Sequence, residues 1–238
     1  MIPLKDDIPG RTVPFVTAGI IAVNVAVFLY QLSLEFGPAT SQSVRGAMSA
    51  AEAFVFEFGA VPCRLSGGCP ADFPPALVTV FTAMFMHGGF FHLAGNMLYL
   101  WIFGDNVEDT LGHGRFLVFY LMSGVAAAVA QTVAGPDSHV PMIGASGAVS
   151  GVLGAYLLLF PYATVLTLLT FGIFFRFVRV PAVLVLGFWI VVQFLNGLLT
   201  FGTRAGDGGG VAWFARVGGF LAGMVLLFLM RPRAAGRL

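Results

Sequence analysis

Six stretches of about 20 mostly apolar residues dominate this chain, and each is long enough to cross the hydrocarbon core of a bilayer as a helix. They fall at about 14–34, 90–108, 115–134, 146–164, 181–200 and 211–230. The charge content agrees: only 10% of residues are charged while 58% are hydrophobic, against roughly 25% charge in an ordinary soluble domain. A large water-facing surface cannot be kept solvated by so few ions. The first apolar run is too long and begins too late for a cleaved leader, and no small-residue cleavage site is evident, so it reads as the first span. The expected fold is an all-α membrane protein, a six-helix bundle over 14–231, after a cytoplasmic N-terminal segment at 1–13 and before a basic cytoplasmic tail at 232–238.

Two connectors need their own reading. Residues 35–89 are mixed in polarity and too long to be structureless, which predicts short helices lying in the membrane interface. Residues 161–180 are apolar but interrupted by Pro161, Gly172, Arg176 and Arg179, and read as an interfacial turn or hairpin rather than a seventh span. With six spans, Lys5, Arg11, Arg115, Arg176, Arg179, Arg231, Arg233 and Arg237 share one side, and Arg45, Arg64 and Arg204 the other. Basic residues stay on the cytoplasmic side. Both termini are therefore expected in the cytoplasm of a cell (inner) membrane protein, with the 35–89 loop and the polar stretches before spans four and six outside. A disulfide between Cys63 and Cys69 suits an external loop. Zinc is disfavoured there, because no histidine or further cysteine lies nearby in the sequence. No metal or cofactor is expected, and a net charge of +1 gives no footprint for nucleic acid.

Three groups of residues could carry chemistry. Gly144-Ala145-Ser146-Gly147 enters the fourth span, where a glycine-flanked serine lets a substrate carbonyl approach and helix N-terminal N–H groups can stabilise an oxyanion. The competing reading is helix packing, since Gly147 with Gly151 and Ser150 with Gly154 are small residues four apart. His92 and Asn96 share one face of the second span, either as donors to an oxyanion or as a structural interhelical pair; no carboxylate or third ligand lies on that face to favour a metal. In the last span Ala212, Arg216, Gly219 and Gly223 line one face of small residues around a single cation. If that face meets the glycine-rich fourth span, Arg216 points towards Ser146; otherwise it anchors to headgroups or to Asp207.

Taken in this order, the three groups resemble the rhomboid intramembrane serine proteases. The stretches FMHGGFFHLAGNMLYLWIFGDNVED, LGHGRF and PMIGASGAVSGVLGAYLLLFP extend the similarity over nearly the whole chain. The resemblance implies Ser146 as nucleophile. It implies an oxyanion site from His92, Asn96 and Gly144, with His87, Gly147 and Gly219 in support. Its partners would be the lipid bilayer and a transmembrane helix of another membrane protein. One position departs: Ala215-Arg216 stands where the family reads Ala-His. A guanidinium has a pKa above about 12 and no acceptor, so it cannot take the serine proton. Removing the base of a soluble serine protease costs on the order of 10⁶ in kcat. The expected function is thus an impaired intramembrane endopeptidase, or alternatively a pseudo-protease that binds transmembrane helices without cutting them. A transporter is disfavoured, because neither a path of ionisable residues nor an inverted repeat is visible. Of the other histidines, His113 lies too far along the chain from Ser146 to act, and His139 is conceivable only if its loop folds back.

Overall fold

A computed structural model describes residues 1–35, 48–70, 73–171, 174–200 and 212–231 of the chain. The expectations for the polar stretch before the last span and for the tail at 232–238 lie outside these residues. The element order is β1 (Ile2–Lys5), α1 (Phe15–Glu35), α2 (Ala50–Phe58), α3 (Pro62–Leu65), α4 (Ala76–Thr82), α5 (Phe90–Leu111), α6 (His113–Ala134), α7 (Ser146–Leu159), β2 (Thr164–Phe171), β3 (Phe174–Pro181), α8 (Ala182–Thr200) and α9 (Trp213–Met230).

The six long helices α1 and α5 to α9 occupy the six apolar stretches. Four of them, α1, α6, α8 and α9, are long and apolar enough to cross a membrane, and α5 joins them if it is counted with α4 and the following turn, from which it bends by 83°. The sixth, α7, has only 14 residues, about 21 Å against a core of about 30 Å. It ends at Leu159 rather than at 164 because Pro161 cannot donate to the helical ladder and disfavours helix at the residue before it. Every residue of α7 from Gly147 to Tyr156 is buried, so its neighbours are other helices rather than lipid. The outer faces of α8 and α9, by contrast, expose Leu184, Phe188, Leu195, Leu199, Val225, Phe228 and Leu229. An apolar exterior of this extent is stable against acyl chains, not water.

The bundle is not purely α-helical. The hairpin expected at 161–180 is built as β2 and β3 in antiparallel register from Thr164 opposite Pro181 to Phe171 opposite Phe174. β1 adds as a third strand, with Ile2 opposite Leu168 and Pro3 opposite Thr167. The Thr/Val/Phe-rich composition of these segments suits a pleated surface. The long first connector contains the short helices α2, α3 and α4, as its composition predicts.

Carboxylates on the last turns of α5 tie the N-terminal segment to the bundle. Buried Glu108 accepts from the N–H groups of Val16 (3.0 Å) and Thr17 (2.8 Å), the unpaired donors at the start of α1. Asp109 accepts from Arg11 N–H at 2.6 Å and Thr12 N–H at 3.0 Å. Asp6 accepts from Asn106 Nδ2 and from the Tyr156 hydroxyl, which fixes the far end of α7.

The tightest packing lies between α7 and α9. A Cβ added to Gly219 would come within 2.1 Å of the Gly147 carbonyl oxygen, and one added to Gly223 within 2.1 Å of that of Gly151. One added to Gly154 would come within 2.2 Å of the Phe220 carbonyl. These are backbone atoms, so no rotamer change relieves the clash. We predict that Gly219→Val lowers stability by about 3 kcal/mol or more. Gly187→Ala in α8, where an added Cβ meets nothing within 4 Å, should be neutral or stabilising by up to about 1 kcal/mol. Apparent melting temperatures of the two variants in detergent check the contrast.

Candidate active site

The site is assembled at one end of the α7–α9 contact. Gly144, at φ +116°, turns the chain into α7 so that Ser146 becomes its first helical residue. A side chain at Gly144 would be strained by this backbone and would also strike the His92 ring, at 2.7 Å from Cε1 and 2.8 Å from Nε2. The loop before it is held by the first connector. Ala60 and Met142 exchange backbone hydrogen bonds of 3.1 and 2.8 Å, and Cys63 N–H donates to Ser138 O at 3.0 Å. The Gly144 N–H donates to Ala83 O at 2.8 Å, so it is engaged within the fold rather than offered to a ligand. The unpaired donors at this helix end are those of the first turn of α7.

Ser146, His92, Asn96, Trp189 and Arg216 line one cleft of about 270 Å³ between α5, α7, α8 and α9. The Ser146 carbonyl accepts from the Ser150 hydroxyl, while its own hydroxyl has no hydrogen-bond partner among the described residues. Arg216 Nη1 donates to Gln193 Oε1 at 2.8 Å, and the guanidinium carbon stands 5.2 Å from the centroid of the Trp213 ring. Among the described residues the only ion pair joins His113 to Glu108, so Arg216 has no carboxylate partner there. A cation–π contact contributes up to about 2 kcal/mol when desolvated, and a hydrogen bond to a charged group about 1.5–3. The α9 helix is set in register by Gln131, whose Oε1 accepts from Ala215 N–H at 3.1 Å.

The hydrogen-bond pattern assigns the imidazole tautomers. Gly88 N–H donates to His92 Nδ1 at 3.4 Å, which puts the proton of a neutral ring on Nε2. That Nε2 and the Asn96 Nδ2 are buried without partners among the described residues, and both lie beside Gly144. His87 Nε2 accepts from Ala145 N–H at 3.5 Å, which leaves its Nδ1 as the protonated and unpartnered nitrogen. In each ring the acceptor nitrogen is therefore occupied. His139 stands elsewhere, with Nδ1 3.6 Å from Cys63 Sγ and 3.7 Å from Cys69 Sγ, and is not part of the cleft lining. His113 opens α6, beyond the far end of α5, and pairs with Glu108.

The geometry thus brings together Ser146, Arg216, His92 and Asn96, with Gly144, Gly147 and Gly219 shaping the approach and His87 behind the loop. Cys63 and Cys69 are joined as a disulfide. The sequence alone assigned no role to Gln193, Gln131 or Trp213. Gln193 was visible as one of three polar side chains in α8, with Asn196 and Thr200, and the one that is buried. His139 sits against the two cysteines although 70 or more residues separate them.

A bundle of long apolar helices around a cleft lined by a serine, an amide and an imidazole is the architecture of a multi-pass membrane protein. The Rhomboid domain family model matches residues 74–233, and the chain belongs to the rhomboid family. It is 46% identical over 76 residues to Rhomboid protease GluP of Bacillus subtilis (strain 168), covering 32% of this chain and 14% of that protein. It is 32% identical over 108 residues to the Putative rhomboid protease YdcA of the same organism, covering 41% and 54%. It is 33% identical over 156 residues to RHOMBOID-like protein 1 of Arabidopsis thaliana, covering 65% and 35%. The matched stretches span little more than half of these relatives at most.

The disulfide yields a direct expectation. Alkylation of the denatured chain with a maleimide should add no mass before reduction and two adducts after it. Adducts on unreduced protein would contradict the pairing.

Proposed function

We propose that this chain binds transmembrane segments of other membrane proteins at the Ser146 cleft, as a rhomboid-type serine endopeptidase, and that Arg216 impairs its hydrolytic step. The bilayer is its solvent and no cofactor takes part. Acylation requires the Ser146 hydroxyl proton to pass to a base as Oγ attacks the scissile carbonyl, and the same base must then protonate the leaving amine. The observation that carries the reading is the occupant of the base position: Arg216 lines the serine's cleft and is held there by Gln193, but guanidinium has no lone pair to receive the proton. His92 Nε2–H and Asn96 Nδ2–H are the donors placed for a developing oxyanion. We further propose that both termini face the cytoplasm of a cell membrane, with the disulfide loop outside.

A second reading is a pseudo-protease that holds such segments without cutting them. Its support is that the acceptor nitrogens of His87 and His92 are both engaged and the other two histidines lie elsewhere. The two readings share one experiment. Arg216→His should raise cleavage of a transmembrane reporter substrate by at least about 10³-fold and bring in labelling of Ser146 by a fluorophosphonate, both abolished by Ser146→Ala. A wild-type chain that already labels and cleaves at the rate of Arg216→His would contradict the impairment. An inert Arg216→His chain that still folds would contradict the assignment of the base position.

A further inference from the structure

The same cleft carries a charge that catalysis does not explain. We propose that Arg216 makes it a receptor for an apolar chain that ends in a carboxylate, such as the free C-terminus of a peptide. This deepens the reading of Ser146 as a peptide site and rests on it. Three observations converge. Arg216 spends one N–H on neutral Gln193, which leaves most of its five donors unspent. No carboxylate among the described residues pairs with it. Asn96, only 8% exposed, carries a buried Nδ2 and His92 a buried Nε2 without a partner among the described residues, and both residues line the cleft with Ser146 and Arg216.

Two donor groups and a fixed cation thus lie around a space whose described lining holds no carboxylate. A planar carboxylate matches the guanidinium fork, with its oxygens free to accept from Asn96 and His92. The remaining lining, with Phe91, Val149, Leu153 and Trp189, is apolar except for the Tyr99 hydroxyl, so the body of the ligand is expected to be mainly apolar too. One cation balances a monoanion and not a phosphate dianion. An imidazole at position 216 would be neutral near pH 7 and would give up this preference. The substitution that removes the base therefore supplies an affinity for the kind of end that peptide cleavage leaves on an acyl fragment.

The test uses the full chain in detergent and three ligands: an N-acetylated apolar hexapeptide acid, the same peptide as C-terminal amide, and dodecanoate. Binding is followed by tryptophan fluorescence and calorimetry. We expect the acid to bind at least 10-fold more tightly than the amide. Ser146→Ala should retain that preference and Arg216→Gln should lose it. Competition by dodecanoate assigns a lipid source to the same carboxylate chemistry, and its failure to compete assigns a peptide source. Equal affinity for acid and amide in the unmodified chain overturns the proposal, and needs no variant to fold. So does a preference that survives Arg216→Gln. An internal transmembrane segment presents no terminal carboxylate, so its binding reports on the proposed function alone.

Discussion

Backbone contact between α7 and α9 is the constraint on which the rest depends. Two helices normally pack with their axes 8–10 Å apart because side chains intervene. Here Gly219 and Gly223 lie against the carbonyls of Gly147 and Gly151, and Gly154 against that of Phe220, with no room for a methyl group. In lipid there is little hydrophobic gain from joining two apolar helices, so van der Waals contact over small residues has to supply the association. The same contact fixes the site. Ser146 is one residue before Gly147 and Arg216 three before Gly219, so both arrive in one cleft because the glycines between them touch.

Function follows from what that closeness places face to face. Serine hydrolysis needs a nearby acceptor, and the helix pair delivers a permanent donor. The His92 and Asn96 donors remain aimed at the space beside Ser146. On the proposed reading, the cleft surrounds negative charge but lacks the group that generates it from a serine hydroxyl. In a site of low dielectric these donors act strongly on whatever anion enters.

Much of this was readable in the residues. Helical periodicity placed His92 with Asn96 and Arg216 with Gly219 on common faces, and a strip of glycines on both α7 and α9 indicated that the two would meet. The six apolar runs located the long helices, because burial in lipid imposes a length. What stayed hidden was non-local. β1 pairs with a strand more than 160 residues away, Gln193 reaches Arg216 from another helix, and His139 meets a disulfide far from it in sequence. The apolar segment at 161–180 carries no period that separates a strand from a short helix, so only its Pro and Arg interruptions argued for a hairpin. α7 ended early, before Pro161, and burial on all sides lets so short a helix stand inside the bundle.

The central claim is that the glycine-lined α7–α9 contact sets residues 146 and 216 across a shared cleft. Ser146→Cys combined with Arg216→Cys, in a chain whose native cysteines are replaced by serine, tests this with a short bifunctional thiol reagent in membranes. The account predicts a cross-link within one chain that is lost when Gly219→Val is added. Absence of the cross-link although both cysteines react singly, or its persistence with Gly219→Val, would contradict it.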